Sequence, residues 1–226
     1  MTRKTKAAAS RWAGHATALF RRMPLFESLT EEELGRVVSI AVPRTYPRGK
    51  VVFQEGDDLD YFYVIVQGKL KALRRSPSGK NLTIGVVSSG HTIGDECILD
   101  GAGLYVSLET LEPTTVMAVH KDDFLRLVGD KPSVLSRIAQ VIARRLKYMQ
   151  DRMLEFITCS AEQRVTRTIR MLANQFGAVI PLTHQDIGEI AGTTRETASR
   201  VIAGLQSDGV VSCLRGSVIV LDEIKT

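Results

Sequence analysis

The segment LTHQDIGEIAGTTRETASRVIAGLQ, residues 182–206, holds the side chains whose types and spacing carry the most specific chemistry. Arg195, Glu196, Ser199 and Arg200 fall within six residues and share one face if that stretch is helical. A guanidinium fork can donate two parallel bonds to guanine O6 and N7, and a carboxylate can accept from cytosine N4. Displayed in the first two turns of a helix, such a set suits base edges in a major groove. A blander use exists for the same atoms. Glu196 and Arg200 are i,i+4 and form a surface ion pair of about 0.3–0.5 kcal/mol, or Glu196 caps its own helix. On these residues alone neither use prevails.

The flanking pattern says how the set is positioned. Thr183 with Asp186 is a capping pair for a short helix whose apolar face is Ile187, Ile190 and Ala191. Gly192 permits a tight turn. Thr193 with Glu196 then opens a second helix, with Ala198, Val201, Ile202 and Leu205 turned inward. Two short helices joined this way are a helix-turn-helix, and Gly188 is small enough to let them approach closely. VVSCLRGSVIVL reads as a hairpin turning at Arg215–Gly216, a wing whose arginine meets phosphate. Thr183, Gln185 and Thr194, at the two helix starts, join these as candidate DNA contacts.

Upstream, Thr30 and Glu33 cap a short helix near 30–39. From about 43 to 120, short runs rich in Val, Ile, Leu and Tyr alternate with turns marked by Gly56, Gly68, Gly79 and Gly90. That spacing predicts an antiparallel sandwich, roll or barrel. The period then becomes helical. Ile138, Ile142, Leu146, Met149, Met153 and Phe156 form a heptad-like seam, more apolar edge than a small β domain covers, so a second copy is its natural partner. Ser160 with Gln163 starts another helix, which makes Cys159–Ser160 a hinge. The expected fold is α+β: a basic arm over 1–22, a β-roll over 23–128, a dimerisation helix over 129–158 and a winged helix-turn-helix over 159–226.

Composition narrows the function classes. The chain has 226 residues, 44% of them apolar and 24% charged, an ordinary globular balance. No apolar run reaches the length of a membrane span, and no membrane partner is expected. Cys97, Cys159 and Cys213 are scattered, with no disulfide framework and no metal-ligand spacing, so a cytoplasmic protein without a bound metal is expected. The net charge of +5 comes mostly from residues 1–22, which hold six basic residues and no acidic one. Asp95 and Glu96 are adjacent acids, but no nucleophile–base arrangement accompanies them, so an enzyme is not expected. A ligand-binding module without DNA function is the other alternative. The outward trio of Arg195, Glu196 and Arg200 argues against it.

With these residues in view, the chain resembles the CRP/FNR superfamily of bacterial transcription regulators over roughly residues 24–222. The run Gly192-Thr-Thr-Arg-Glu-Thr-Ala-Ser-Arg200 carries most of the resemblance. ARRLKYMQDRM, Gly56-Asp57, Gly68-Lys69 and Gly94-Asp95-Glu96 support it. The resemblance implies a homodimer with a β-roll sensor, binding a palindromic double-stranded operator with TGTGA-like half-sites read by Arg195, Glu196 and Arg200. RNA polymerase becomes a partner if the protein activates. By the same resemblance, an effector pocket is lined near Gly94, Asp95, Glu96, Cys97, Tyr105, Met149 and Gln150. The family's cyclic-AMP branch places a phosphate-binding arginine and serine where this chain has Tyr105 and Val106, and GAGLYVSLETLE holds no basic residue. Two acids without a cation repel a phosphate, so another effector, or none, is expected. No cofactor is assigned. An iron–sulfur cluster lacks its cysteines, and haem through His91, His120 or Cys97 and a redox role for Cys97 stay open.

Overall fold

The computed structural model describes residues 14–79 and 81–222. The first thirteen residues of the expected basic arm therefore lie outside the described residues. The rest of it does not stand apart as an arm but joins the core of the first unit. Residues 14–20 are helical, Ala16, Phe20 and Met23 are buried on one face, and Phe20 stacks on Phe26 at 4.8 Å. The described residues divide into two compact units, one of residues up to Leu73 plus Val86–Lys147, the other of Arg74–Gly85 plus residues from Tyr148 on.

Residues 42–120 form two four-stranded sheets with antiparallel pairing, which belong to the first unit except for the β4–β5 tip, Arg74–Gly85. Their strands are β1 (Val42–Tyr46), β2 (Val51–Phe53), β3 (Tyr61–Gln67), β4 (Lys69–Arg75), β5 (Asn81–Ser88), β6 (Thr92–Ile93), β7 (Ser107–Thr110) and β8 (Thr114–His120), ordered β1-β8-β3-β6 and β2-β7-β4-β5. Strands β3 and β8 are apolar on both faces because both faces are used. Tyr63, Ile65, Val116 and Ala118 join one core with Phe53, Leu70 and Leu108 of the other sheet. Phe62, Val64, Met117 and Val119 point the opposite way, as the period of two requires, into a second core with the helices. Those helices are α1 (Glu31–Ile40), α2 (Asp95–Asp100) and α3 (Lys121–Asp130).

Helix α4 spans Pro132–Thr158. Its first turns are buried in the core of the first unit. Val134 is fully buried and Ile138 is 1% exposed, so Ile138 does not belong to the expected seam; a residue already enclosed by its own domain has no surface to offer a second copy. Ile142, Leu146, Met149, Met153 and Phe156 form an exposed apolar stripe, the Phe156 ring also lying against Gly192.

The second unit continues with α5 (Ala161–Phe176), β9 (Val179–Ile180), α6 (His184–Ile190), α7 (Arg195–Ser207), β10 (Val211–Leu214) and β11 (Ser217–Val220). Val165, Ile169, Leu172, Ile187, Ala198, Ile202 and Val218 fill its core. The wing strands order as β10-β11-β9, with the turn at Arg215–Gly216. The capping boxes of Thr30–Glu33, Ser160–Gln163 and Thr183–Asp186 are all present. Helix α7 departs by one residue from expectation. Its cap is Thr194, whose hydroxyl accepts from the Thr197 amide at 3.3 Å, while Thr193 is held in the turn by donating its amide to the Gly188 carbonyl at 2.8 Å.

Candidate DNA interface and sensor cluster

Arg195, Glu196 and Arg200 are exposed on α7, opposite the buried Ala198 and Ile202. The helix approaches α6 closely enough that a Cβ on Gly188 would lie 3.0 Å from the Thr194 carbonyl oxygen. That packing leaves the first two turns of α7 as the outer edge of the module. Arg200 reaches Glu162 of α5 at 3.6 Å, with both side chains mostly in water, so this contact holds the guanidinium only weakly. The Glu196 carboxyl is lowered first by its own backbone amide and then by the Thr194 hydroxyl. A contact from Glu196 to a base would compete with these two donors.

Around this helix start lies a groove of about 450 Å3, lined by Thr183, His184, Gln185, Arg195, Cys213 and Gly216 among others. Of the expected contacts it brings together Thr183, Gln185 and Arg195, beside the wing strands. His184, which sequence reasoning passed over, bridges the three elements. Its Nδ1 is 3.0 Å from the Ser199 hydroxyl, and its Nε2 is 3.7 Å from the Cys213 thiol. Burial, and then Arg195, lower the His184 pKa, which favours the neutral ring that can donate from one nitrogen and accept at the other. Gln185 donates its amide to Glu189 at 2.7 Å, and Arg215 is exposed at the wing tip.

Behind the interface, a β-hairpin segment supports α6. Thr83 is 1% exposed; its hydroxyl donates to Asp186 at 2.9 Å and its amide to Glu189 at 2.7 Å. Asp186 also accepts from the Thr183 amide and hydroxyl, so the buried carboxylate that caps α6 is well satisfied.

Comparison with known proteins matches both halves of this arrangement. A cyclic nucleotide-binding domain is recognised over residues 43–131 and a Crp-like helix-turn-helix domain over 163–225. The cyclic AMP receptor protein of Thermus thermophilus is 31% identical over 199 residues, covering 86% of this chain and 91% of that protein. The chain belongs to the CRP/FNR family of transcription regulators. The nitrogen fixation regulation protein FixK of Bradyrhizobium diazoefficiens is 28% identical over 84% of this chain and 80% of its own length. The structure of FixK2 from Bradyrhizobium japonicum shares the fold with a TM-score of 0.71 at 20% identity, covering 81% of this chain and 93% of that one. This CRP/FNR protein is thus a transcription regulator with a helix-turn-helix DNA-binding domain. Among the described residues no helix is long and apolar enough to cross a membrane, and no cluster of His, Cys, Asp and Glu could hold a metal ion.

In the first unit of this CRP/FNR chain, the acidic turn does have a cation. Gly94 precedes α2, and Arg145 of α4 reaches Asp95 at 3.2 Å, Glu96 at 2.6 Å and the Thr92 hydroxyl at 3.0 Å. The expectation of two unbalanced acids is corrected: the guanidinium comes from a helix fifty residues downstream, outside any local window. Cys97 is enclosed in the sandwich core, where burial pushes its thiol up, the opposite of an activated thiolate. Tyr105 is exposed and donates its hydroxyl to Asp100. Met149 and Gln150 lie in the second unit, exposed on α4. Of the open haem ligands, the His91 ring is tied to the Ser88 carbonyl at 3.0 Å, and His120 caps α3 by accepting from the Asp122 amide.

Glu96 is pushed up to about 7, first by burial and next by Asp95, while Arg145 acts in the opposite sense. The ordinary carboxyl value is 4.5. A raised folded-state value means that the folded chain binds the extra proton between these limits. Its contribution to stability is complete below the lower limit and is lost as pH rises through the upper one. Glu96→Gln is therefore expected to flatten this loss and to raise stability at pH 8 by about 1–2 kcal/mol after allowing for solvent screening. Thermal melts at pH 5 and 8 check it. A variant with the same pH slope as the parent would mean that Glu96 stays ionised.

Proposed function

We propose that this chain is one protomer of a homodimeric cytoplasmic regulator that binds a palindromic operator with TGTGA-like half-sites. The observation that carries the reading is the outward display of Arg195, Glu196 and Arg200 from the first two turns of α7. The two arginines take guanines and Glu196 a cytosine in each half-site, with Thr183, Gln185, Thr194 and Ser199 around them and Arg215 on phosphate. The exposed stripe of Ile142, Leu146, Met149 and Met153 pairs with its copy. Pairing sets the two α7 helices about 34 Å apart, the repeat of adjacent major grooves on one duplex face. An effector acts only by favouring one arrangement of the dimer over another. RNA polymerase is the further partner where the operator supports activation.

The sensor is not a cyclic-phosphate site in this reading. Arg145 is already paired with Asp95 and Glu96, and a phosphate arriving there has to displace those carboxylates from it. One observation favours a second reading: the Thermus thermophilus relative carries the name cyclic AMP receptor protein. A single titration separates the two. Fluorescence anisotropy on a TGTGA/TCACA duplex and on scrambled DNA, at about 0.15 M salt, is run with and without cyclic AMP. Preference for the palindrome, unaltered by the nucleotide, is expected. Tightening by tenfold or more supports the second reading, and equal binding to scrambled DNA removes the operator proposal.

A further inference from the structure

The corner between α4 and α5 is built to resist motion. The Phe156 ring lies between two guanidinium groups, with Arg152 and Arg164 at 5.4 and 5.3 Å from its centroid. Gly192, in the helix-turn-helix turn, sits against the same ring. A Cβ there would fall 2.2 Å from Phe156 Cε1, and its φ is +62°. Both constraints select glycine.

The two arginines do more than stack. Arg152 Nη2 donates to the Ile190 carbonyl at 2.6 Å. Arg164 Nε donates to the Ala191 carbonyl at 2.9 Å and Nη2 to the Gly192 carbonyl at 3.1 Å. Its remaining Nη1 donates to the Cys159 carbonyl at 2.9 Å. Glu155 receives Arg152 at 2.6 Å and faces Arg167 at 3.5 Å, which offsets part of the positive charge. Carbonyls at the end of a short helix such as α6 are acceptors that helices leave unpaired. Here three in succession are taken by cations whose charge also suits that end of the helix dipole. One guanidinium holds both the corner at Cys159 and the turn before α7.

We propose that Phe156, Arg152 and Arg164 are positioning residues that lock the helix-turn-helix to the last two turns of α4, so that Cys159–Ser160 is a fixed corner rather than a swivel. The aim of α7 then follows the end of α4 as one body. Swinging α5 through a hinge at that corner would break the charge-assisted bonds of Arg164 and uncover Phe156. Within this unit, the aim of the recognition helix is then fixed from Arg152 onward. The inference rests on the DNA-reading role of α7, and it can also be read without DNA.

Arg164→Lys keeps the charge and most of the stem but replaces a three-way fork by a point charge; Phe156→Ala removes the ring. Two measurements are made on the full-length protein. In the first, anisotropy is recorded on operators whose half-site separation differs by single base pairs. The parent is expected to prefer one separation. Both variants are expected to lose about tenfold at that optimum and to bind neighbouring separations nearly as well. A merely structural role would weaken every operator alike and leave the optimum sharp, which overturns the lock. In the second, hydrogen exchange is followed in the free protein. Amides at 159–161 and 190–194 are expected to exchange about tenfold faster in Arg164→Lys, with the rest of the module unchanged; equal exchange overturns the proposal. If the parent prefers no operator, the DNA-reading role fails, while exchange still decides the lock. Should Phe156→Ala not fold, Arg164→Lys carries both measurements.

Discussion

Replacing Met149 and Met153 together by glutamate is expected to yield a folded monomer whose operator affinity is about a hundred- to ten-thousand-fold weaker. The fold survives because both side chains are more than 60% exposed in the single chain and contribute little to its core. The interface does not survive. In a twofold interface each patch meets its own copy, so every introduced carboxylate faces another in a desolvated seam. The loss at the operator is one of linkage. A dimer seats its second recognition helix at the high effective concentration set by the first, and a monomer forfeits that gain. Sedimentation velocity and anisotropy measure the two effects. A variant that still sediments as a dimer would place the interface elsewhere and leave the stripe unexplained.

Arg195→Lys is expected to cost about 1–3 kcal/mol on the preferred operator, with sequence-independent affinity nearly unchanged. The charge is retained, so phosphate attraction persists. What is lost is the planar fork that spans O6 and N7 of one guanine, which an ammonium cannot reproduce. Specificity should relax at a single base pair in each half-site. Selection from a randomised duplex pool reads this directly: one position loses its information content and the others keep theirs. A uniform loss at all positions would mean that Arg195 serves phosphate. Unchanged binding would leave it an ornament of the surface. On the same surface the Glu196 carboxyl is lowered first by its own backbone amide and then by the Thr194 hydroxyl, donors with which a base has to compete.

The features legible beforehand were those in which neighbouring residues carry the cause. Three capping boxes, the Gly188 approach and the wing turn at Arg215–Gly216 each depend on a few consecutive residues. Even there a one-residue ambiguity survived. Thr193 and Thr194 are equally good caps as types, and the choice fell to Thr194 because the Thr193 amide is held by Gly188 in the turn. Ile138 shows the limit of periodicity. It shares the spacing of Ile142 and Leu146, but spacing does not say which neighbour covers a face, and the sensor core reaches the first turns of α4 and no farther.

The order of elements, the α+β class and the outward trio on α7 were decided by the sequence itself, since period, caps and turn residues act over short range. Only the tertiary structure decided what each site residue touches. Arg145 pairs with Asp95 and Glu96 from fifty positions away, Thr83 completes the coordination of Asp186 across more than a hundred, and His184 joins Ser199 to Cys213. Such pairings are set by how helices and strands pack in space. A residue type announces that it can make a bond, and packing alone determines with which partner.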